Sequence, residues 1–401
     1  MDFREQAKAL QPQLLLWRRR LHQIPELNNE TFMTAGEITQ FLRAIGIPAE
    51  DIRPMVKGAG LAVTIHGKDT GRCVGIRVDI DALAEEEKTD LPFASLNGNM
   101  HACGHDTHAA MGLGAAKLLF ENRESLNGAV KVIFQPGEEL YLGAKAMIEE
   151  GVLEDPKVDA CISIHGMPNL VAPGFSCGSI SVTNGMPAFG CSSFFEMKFI
   201  GKGGHTAHPE KAVDPVFMQA AAITQLYGVI SRETNPATPA VISVSYVKGG
   251  SVGRIAEDIT IGGVLRSLDK KRNQWMFDRM ATICKSVAES MGGSCECKMT
   301  DGVPETRMDP ELLEIVKASA AKIVGPERVV IQTEADLVGE DFAYFAERIP
   351  CVHIKHSQRY DDGPNDYYLH NPQYAPCEDS FWTGSGTLAQ FAWDYLEKSC
   401  D

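Results

Sequence analysis

The chain is short of basic residues. Its 401 residues carry 38 Lys and Arg against 53 Asp and Glu, a formal net charge of −15. A nucleic acid or an anionic membrane as the main partner requires a basic face, so both are excluded. Long apolar runs are also lacking. The stretch Leu14-Leu15-Leu16-Trp17 is followed at once by Arg18-Arg19-Arg20, and nothing approaches the ~20 apolar residues of a membrane helix. Residues 1–10 include Asp2, Arg4, Glu5 and Lys8 and have no apolar centre, which argues against a signal peptide. The 11 cysteines are odd in number and scattered, unlike the even, dense set of a small secreted disulfide scaffold. A reducing, cytoplasmic setting is therefore expected. There is no internal repeat and no low-complexity tract. What is present, 44% hydrophobic and 23% charged residues, excludes a wholly disordered chain. The length leads us to expect two or three domains at roughly 150 residues each.

Apolar spacing predicts helices over 4–22 and 32–45, the second ended by Gly46 and Pro48. Strands are expected at 61–66, 74–80, 130–134 and 160–165, alternating with helices at 106–120 and 143–150. That alternation predicts an α/β layer with a mixed, largely parallel sheet. After about residue 186 the order changes to strand 194–200, helix 214–230, strands 241–247 and 259–265, helix 270–290 and strand 295–299. This βαββαβ order is the ferredoxin-like split motif. Helices at 310–323, 342–347 and 380–397 and a strand at 352–355 return to the α/β pattern. The expected organisation is a discontinuous α/β domain, 1–185 and 303–401, interrupted by an inserted lid, 186–302. The loop 360–368, rich in Asp, Gly, Pro and Asn, is expected at the surface.

The densest chemistry lies in Met100-His101-Ala102-Cys103-Gly104-His105-Asp106-Thr107-His108. Cys103 and His105, two apart in a loop, can turn toward one point, and thiolate plus imidazole suits Zn²⁺ or another borderline metal. His101 and His108 read as structural groups or as donors to the ligands. A helix-capping loop with incidental polar residues leaves three histidines in eight positions unexplained. Gln135-Pro136-Gly137-Glu138-Glu139 and Ile164-His165-Gly166 both lie at strand ends, where open α/β sheets bind ligands. Taken alone, the glutamates read equally well as two solvated groups in a turn, and the histidine as a satisfied core group. Asp79 and Asp81 share one face at a strand end and could bind metal or orient ligand histidines. In the lid, Gly201-Lys202-Gly203-Gly204-His205 lets His205 project from a tight turn. His370 stands in Tyr368-Leu369-His370-Asn371-Pro372.

Together these segments resemble the di-metal aminoacylase/carboxypeptidase metallopeptidase family. The resemblance is to its amidohydrolase branch of hippurate hydrolase, auxin-conjugate hydrolases and N-acetyl-diaminopimelate deacetylase. It runs nearly end to end, from Arg20-Leu21-His22-Gln23-Ile24-Pro25-Glu26-Leu27 through Val213-Asp214-Pro215 and Gly339-Glu340-Asp341-Phe342 to Leu369-His370-Asn371-Pro372. It implies a zinc-peptidase-like catalytic domain, a lid that also dimerises, and two divalent ions per subunit: Zn²⁺ or Mn²⁺, with Co²⁺ or Ni²⁺ as further options. Carried over by position, the ligands are Cys103, His105, Glu139, His165 and His370. Glu138 matches the general base that activates the attacking water. His205 matches the lid histidine that reaches a neighbouring subunit's site, and Arg266 matches the lid arginine, a candidate for the substrate carboxylate. Asp79, Asp81 and His108 stand behind the ligands.

The implied activity is hydrolysis of an N-acyl-amino acid. Alternatives are a dipeptidase or carboxypeptidase, or an aminobenzoyl-glutamate-type hydrolase. The partners are then a small-molecule substrate and a second copy of the chain. Some positions depart from the family pattern. Leu140-Tyr141-Leu142 replaces a glycine run and reshapes the pocket wall. Gly253 replaces an asparagine, Ile255-Ala256-Glu257-Asp258 replaces Ile-Pro-Asp-Glu, and no proline follows Leu83. Two other readings are carried forward. One is a Cys103 nucleophile with His105 or His108 as base. The other is a metal-stabilised dimer that binds a small ligand without turnover, which would need no Glu138.

Overall fold

The structure, a computed structural model, describes residues 1–168, 176–334, 336–361 and 367–398. The chain divides into two compact units, Met1–Ala188 with Arg307–Glu334 and Asp341–Asp401, and Phe189–Thr306 with Ala335–Glu340. Of the expected surface loop, residues 362–366 lie outside the described residues, and the flanking Tyr360, Tyr367 and Tyr368 are exposed.

The first unit begins with α1 (Arg4–His22), α2 (Phe32–Ile45), β1 (Ile52–Met55), β2 (Gly60–His66) and β3 (Lys68–Asp79). It continues with α3 (His105–Glu121), β4 (Asn127–Gln135), α4 (Gly143–Glu149), β5 (Ala160–Met167) and β6 (Ile180–Thr183). The second unit supplies β7 (Cys191–Ile200), β8 (Gly204–His205), α5 (Pro215–Gly228), β9 (Ala240–Ser251), β10 (Arg254–Ser267), α6 (Lys270–Ser290) and β11 (Ser294–Asp301). The chain returns to the first unit with α7 (Pro310–Val324), β12 (Val329–Gln332), α8 (Ala343–Ala346), β13 (Cys351–Ser357) and α9 (Phe381–Glu397).

The first unit holds an eight-stranded sheet in the order β1-β2-β4-β3-β5-β13-β6-β12. Its centre is parallel, with β4 beside β3, β3 beside β5 and β5 beside β13. The β1–β2, β2–β4 and β13–β6 pairs are antiparallel. The central strands are apolar on both faces, as parallel strands covered by helices must be: Val74, Ile76 and Val78, then Val130, Val132 and Phe134, then Ile162 and Ile164 are all buried. The helix α1 turns Ala7, Leu10, Leu14, Trp17 and Leu21 inward at helical spacing. It packs on α3 and α9, which lie against β3, β4 and β5. Small residues allow the close approach, since a Cβ on Gly114 of α3 would lie 2.3 Å from Ser385 Oγ of α9.

The second unit is an antiparallel sheet in which β7 lies between β11 and β10, and β10 also pairs with β8 and β9. Phe195, Met197, Phe199, Ile261 and Leu265 of this sheet pack with Met218, Leu226, Met276 and Met280 of α5 and α6. Short elements escape the sequence pattern: β1, β6, β8 and β12 have four residues or fewer. Among the described residues no helix is long and apolar enough to cross a membrane.

The parallel register matters most for chemistry. Asp79 pairs with Gln135 and Arg77 with Ser163, so the carboxyl ends of β3, β4 and β5 come together. The segments that follow β3 and β4 carry Asp81, Glu138 and Glu139, and the end of β5 carries His165, in the crevice where α/β sheets bind ligands.

Candidate metal centre

The loop before α3 is set by its backbone. Gly104 adopts φ +82°, a left-handed conformation that favours glycine, and a Cβ there would lie 3.0 Å from Tyr374 Oη. His370 also lies in the left-handed region, at φ 64°, and its backbone N–H donates to the Ala102 carbonyl at 2.8 Å. A non-glycine residue held there marks a constrained position. The constraint brings residues from opposite ends of the chain together.

Cys103 Sγ is 3.5 Å from His165 Nε2 and 3.3 Å from His370 Nε2. Glu139 lies beside them, with Oε2 3.6 Å from His370 Nε2 and Oε1 3.8 Å from His105 Nε2. Two donor sets overlap at the thiol: Cys103 with His105 and His165, and Cys103 with Glu139 and His370, each with ligand atoms within 4.8 Å of one another.

The partners of the far ring nitrogens set the tautomers. His105 Nδ1 faces Asp81 Oδ1 at 3.2 Å, and His165 Nδ1 donates to the Gly166 carbonyl at 2.8 Å. Each arrangement leaves an Nε2 lone pair for a cation. The buried atoms His105 Nε2 and Glu139 Oε1 have no hydrogen-bond partner. Unpartnered donor atoms beside a thiol, with imidazole nitrogens on one side and a carboxylate on the other, fit a divalent cation of borderline softness.

His108 is placed behind this layer. Its Nδ1 is 2.5 Å from Asp79 Oδ1, and its Nε2 accepts from the Gly166 N–H at 2.6 Å. Asp81 accepts from the Glu139 N–H at 3.2 Å, so it orients two candidate ligands at once. Glu138 is buried, and its Oε1 accepts from the Asp341 N–H at 3.3 Å. Both ring nitrogens of His101 are buried without a hydrogen bond, so it donates to no ligand and its role is packing, with its ring 6.2 Å from that of His22.

His205 and Arg266 belong to the second unit. His205 is exposed, and its Nδ1 accepts from the Ala207 N–H at 3.0 Å, which leaves the proton on Nε2. Arg266 Nη1 donates to the Leu337 carbonyl at 2.8 Å.

Sequence reasoning missed the buried network that supports the glutamates. Arg77 donates to Asp79 at 2.8 Å and to Asp341 at 2.7 Å. Asp341 also accepts from Gln135 Nε2 at 2.7 Å and the Ala144 N–H at 3.0 Å. The available signal was a lone cation in the apolar strand Val74-Gly75-Ile76-Arg77-Val78, which needs buried acidic partners. A second cluster backs the helix start, where Arg18 Nε lies 2.7 Å and His22 Nδ1 2.8 Å from Asp106 Oδ2.

The buried acids, the thiol and the imidazoles shift one another's protonation. Burial pushes the Cys103 thiol well up, and Glu139, Glu138 and Asp79 add to the shift. Burial, with Asp81 and Asp79 assisting, brings Glu139 up to about 7. Burial opposes a charge on His105, but Asp79, Asp81 and Glu139 outweigh it and raise the ring to about 10. Burial would also raise Asp79, yet His105, His108 and Arg77 hold it well below the carboxylate range. Burial keeps His165 and His370 neutral by pushing both down.

A cation must therefore displace protons from Cys103 and His105 and part of one from Glu139, so affinity falls as pH falls. Calorimetric titration of the metal-free protein with Zn²⁺ near pH 7, in two buffers of different ionisation enthalpy, will show net proton release. Identical heats in both buffers would contradict the assignment.

Comparison with known proteins agrees with this geometry. Residues 75–394 match the family described as Peptidase family M20/M25/M40. An N-acetyl-L-cysteine deacetylase of Bacillus subtilis is 36% identical, covering 98% of this chain and 90% of its own. The hippurate hydrolase of Campylobacter jejuni is 30% identical, covering 95% and 96%. The crystal structure of the Bacillus subtilis YXEP protein, described as a dinuclear metal binding peptidase from the M20 family, is similar with a TM-score of 0.83. It is 30% identical and covers 98% of this chain and 100% of that one. The chain thus belongs to peptidase family M20/M25/M40 and is a metal-dependent hydrolase of amide bonds.

Proposed function

We propose that the chain cleaves N-acyl-amino acids to a carboxylate and a free amino acid, with two divalent ions in each subunit. The observation that carries this reading is the convergence of Cys103, His165 and His370, with sulfur–nitrogen distances of 3.5 and 3.3 Å, next to Glu138 and Glu139. Cys103, His105, Glu139, His165 and His370 would hold them, their donor atoms falling into two groups that overlap at the thiol, Cys103 with His105 and His165 and Cys103 with Glu139 and His370. Asp79, Asp81 and His108 orient these ligands. Thiolate and imidazole donors favour Zn²⁺; Mn²⁺, Co²⁺ and Ni²⁺ are the alternatives. The same thiol cannot serve as the nucleophile while it ligates.

When bound, the ions lower the pKa of a coordinated water toward ~7 and polarise the scissile carbonyl. Glu138 takes the proton of the attacking water and returns it to the leaving amine. His205, with its proton on Nε2, donates to the oxyanion that develops on the carbonyl oxygen. Arg266 holds the carboxylate of the amino acid. Two relatives are named for N-acylated amino acids, N-acetyl-L-cysteine and hippurate, which supports this substrate class; two others, 33% identical, are named carboxypeptidases, which keeps peptides in the panel below. The first unit is then the catalytic domain and the second the lid, through which the chain forms a homodimer.

A hydrolysis panel of N-acetyl and N-benzoyl amino acids and dipeptides tests the reading. Chelation will abolish turnover of the acyl-amino acids, and Zn²⁺ or Mn²⁺ will restore it. Glu138→Gln will lower kcat by about 10²–10⁴ with metal content unchanged. Full activity in the metal-free protein would overturn the proposal. The dimeric role of His205 has its own test. A mixture of inactive Glu138→Gln and His205→Ala subunits will recover activity after exchange, because one site in each mixed dimer is whole. No recovery would place His205 in its own subunit's site or outside catalysis.

A further inference from the structure

We propose that Cys177 and Cys377 are a redox-modification site: a thiol pair that closes to a reversible disulfide. The bond would tie the segment leading into β6 to the segment between His370 and α9. No step of the amide hydrolysis uses either residue.

The sulfurs are 2.7 Å apart although 200 residues separate them in the chain. A disulfide bond measures 2.03–2.05 Å, so roughly 0.7 Å of approach completes it. The backbone holds both residues to one anchor, the end of β13. The N–H of Gly178, next to Cys177, donates to the Ser357 carbonyl at 2.8 Å, and the Cys377 N–H donates to the Gln358 carbonyl at 2.9 Å. The Cys177 N–H is further fixed by Asp361 Oδ1 at 3.1 Å, and its carbonyl by Arg328. Two thiols pinned to successive residues of one strand end need no segment to move for the bond to form.

Solvent reaches the pair from the Cys177 side. Cys177 is half-buried, whereas Cys377 is 4% exposed. The two thiols differ in chemistry. The hydrogen bond from the Cys177 thiol holds Cys377 below the ordinary thiol range, while Cys177 itself is pushed up by the same contact. Of the two, Cys377 gives up its proton more readily, which makes Cys177 the resolving thiol. Elsewhere among the described residues Cys295 contacts both Cys284 and Cys297, the latter at 3.8 Å two positions along the same strand.

The oxidant is hydrogen peroxide. The Cys377 thiolate attacks one peroxide oxygen, an S–O bond forms, the O–O bond breaks, and the departing oxygen leaves as water after taking a proton. The Cys177 sulfur then attacks the Cys377 sulfenic sulfur. The S–S bond forms, the S–O bond breaks, and a second water carries away the Cys177 proton. Two electrons pass from the sulfur pair to the peroxide. A reducing compartment reverses the bond through exchange with a small thiol, as expected for redox-responsive rather than structural disulfides.

The test uses the metal-loaded, full-length protein, so that Cys103 is ligated. After treatment with hydrogen peroxide, the protein is alkylated, digested without reductant and mapped by mass spectrometry. The expected result is a cross-linked peptide containing Cys177 and Cys377 in most molecules, absent after dithiothreitol. In Cys177→Ser the link disappears and Cys377 is trapped as a dimedone adduct. Alkylation of both residues in peroxide-treated wild type would overturn the proposal, as would a Cys377 link to a different cysteine. The wild-type map decides the question even if the variant folds poorly.

Discussion

Negative charge confined in an apolar setting governs this protein. Asp79, Asp81 and Glu138 are buried, Glu139 nearly so, and the Cys103 thiol is within reach of the last. Placing such groups where water cannot solvate them is costly unless cations or hydrogen-bond donors answer them. Arg77 answers Asp79 and Asp341, and His105 and His108 answer Asp79 and Asp81. Glu139 Oε1, which has no hydrogen bond, and the neighbouring thiol are the share that a divalent pair would neutralise. The pushed-up thiol and glutamate and the raised His105 are three consequences of the same imbalance.

The fold makes that concentration of charge tolerable. Parallel strands deliver their carboxyl ends to one edge, so the acids sit on residues just past an apolar, fully packed sheet. The core beneath, from Phe134 to Ile164 and the small-residue faces of α3 and α9, gives them a rigid base. Asp341 links the glutamate segment to the core, because its backbone meets Glu138 while its carboxylate is held by Arg77, Gln135 and the Ala144 N–H. A glutamate whose position depends on a buried ion pair is pre-organised and does not search for its geometry.

Much of this was legible in the residues. The long helices announce themselves by 3.6-residue spacing and the central strands by apolar runs, and Met100-His101-Ala102-Cys103-Gly104-His105 declares metal chemistry through donor density. The sequence also suggested acids at strand ends, and the parallel register brings them together. Other features had no local sign. The strands β1, β6, β8 and β12 are too short to carry a period. The meeting of Cys103 with His370 spans 267 positions, and that of Arg77 with Asp341 spans 264. Only the completed sheet brings such partners together, which is why the ligand set came from family resemblance and not from spacing. The left-handed backbone of His370 was equally invisible, since it is imposed by its bond to Ala102 and not by its residue type.

The central claim is that one sulfur, Cys103 Sγ, joins two cation sites. X-ray absorption spectroscopy at the metal edge of the fully loaded, active protein tests it most directly. The account predicts a sulfur scatterer together with nitrogen and oxygen shells, and its disappearance in Cys103→Ser with loss of at least one metal equivalent. A shell of nitrogen and oxygen alone in the active wild-type protein would contradict it.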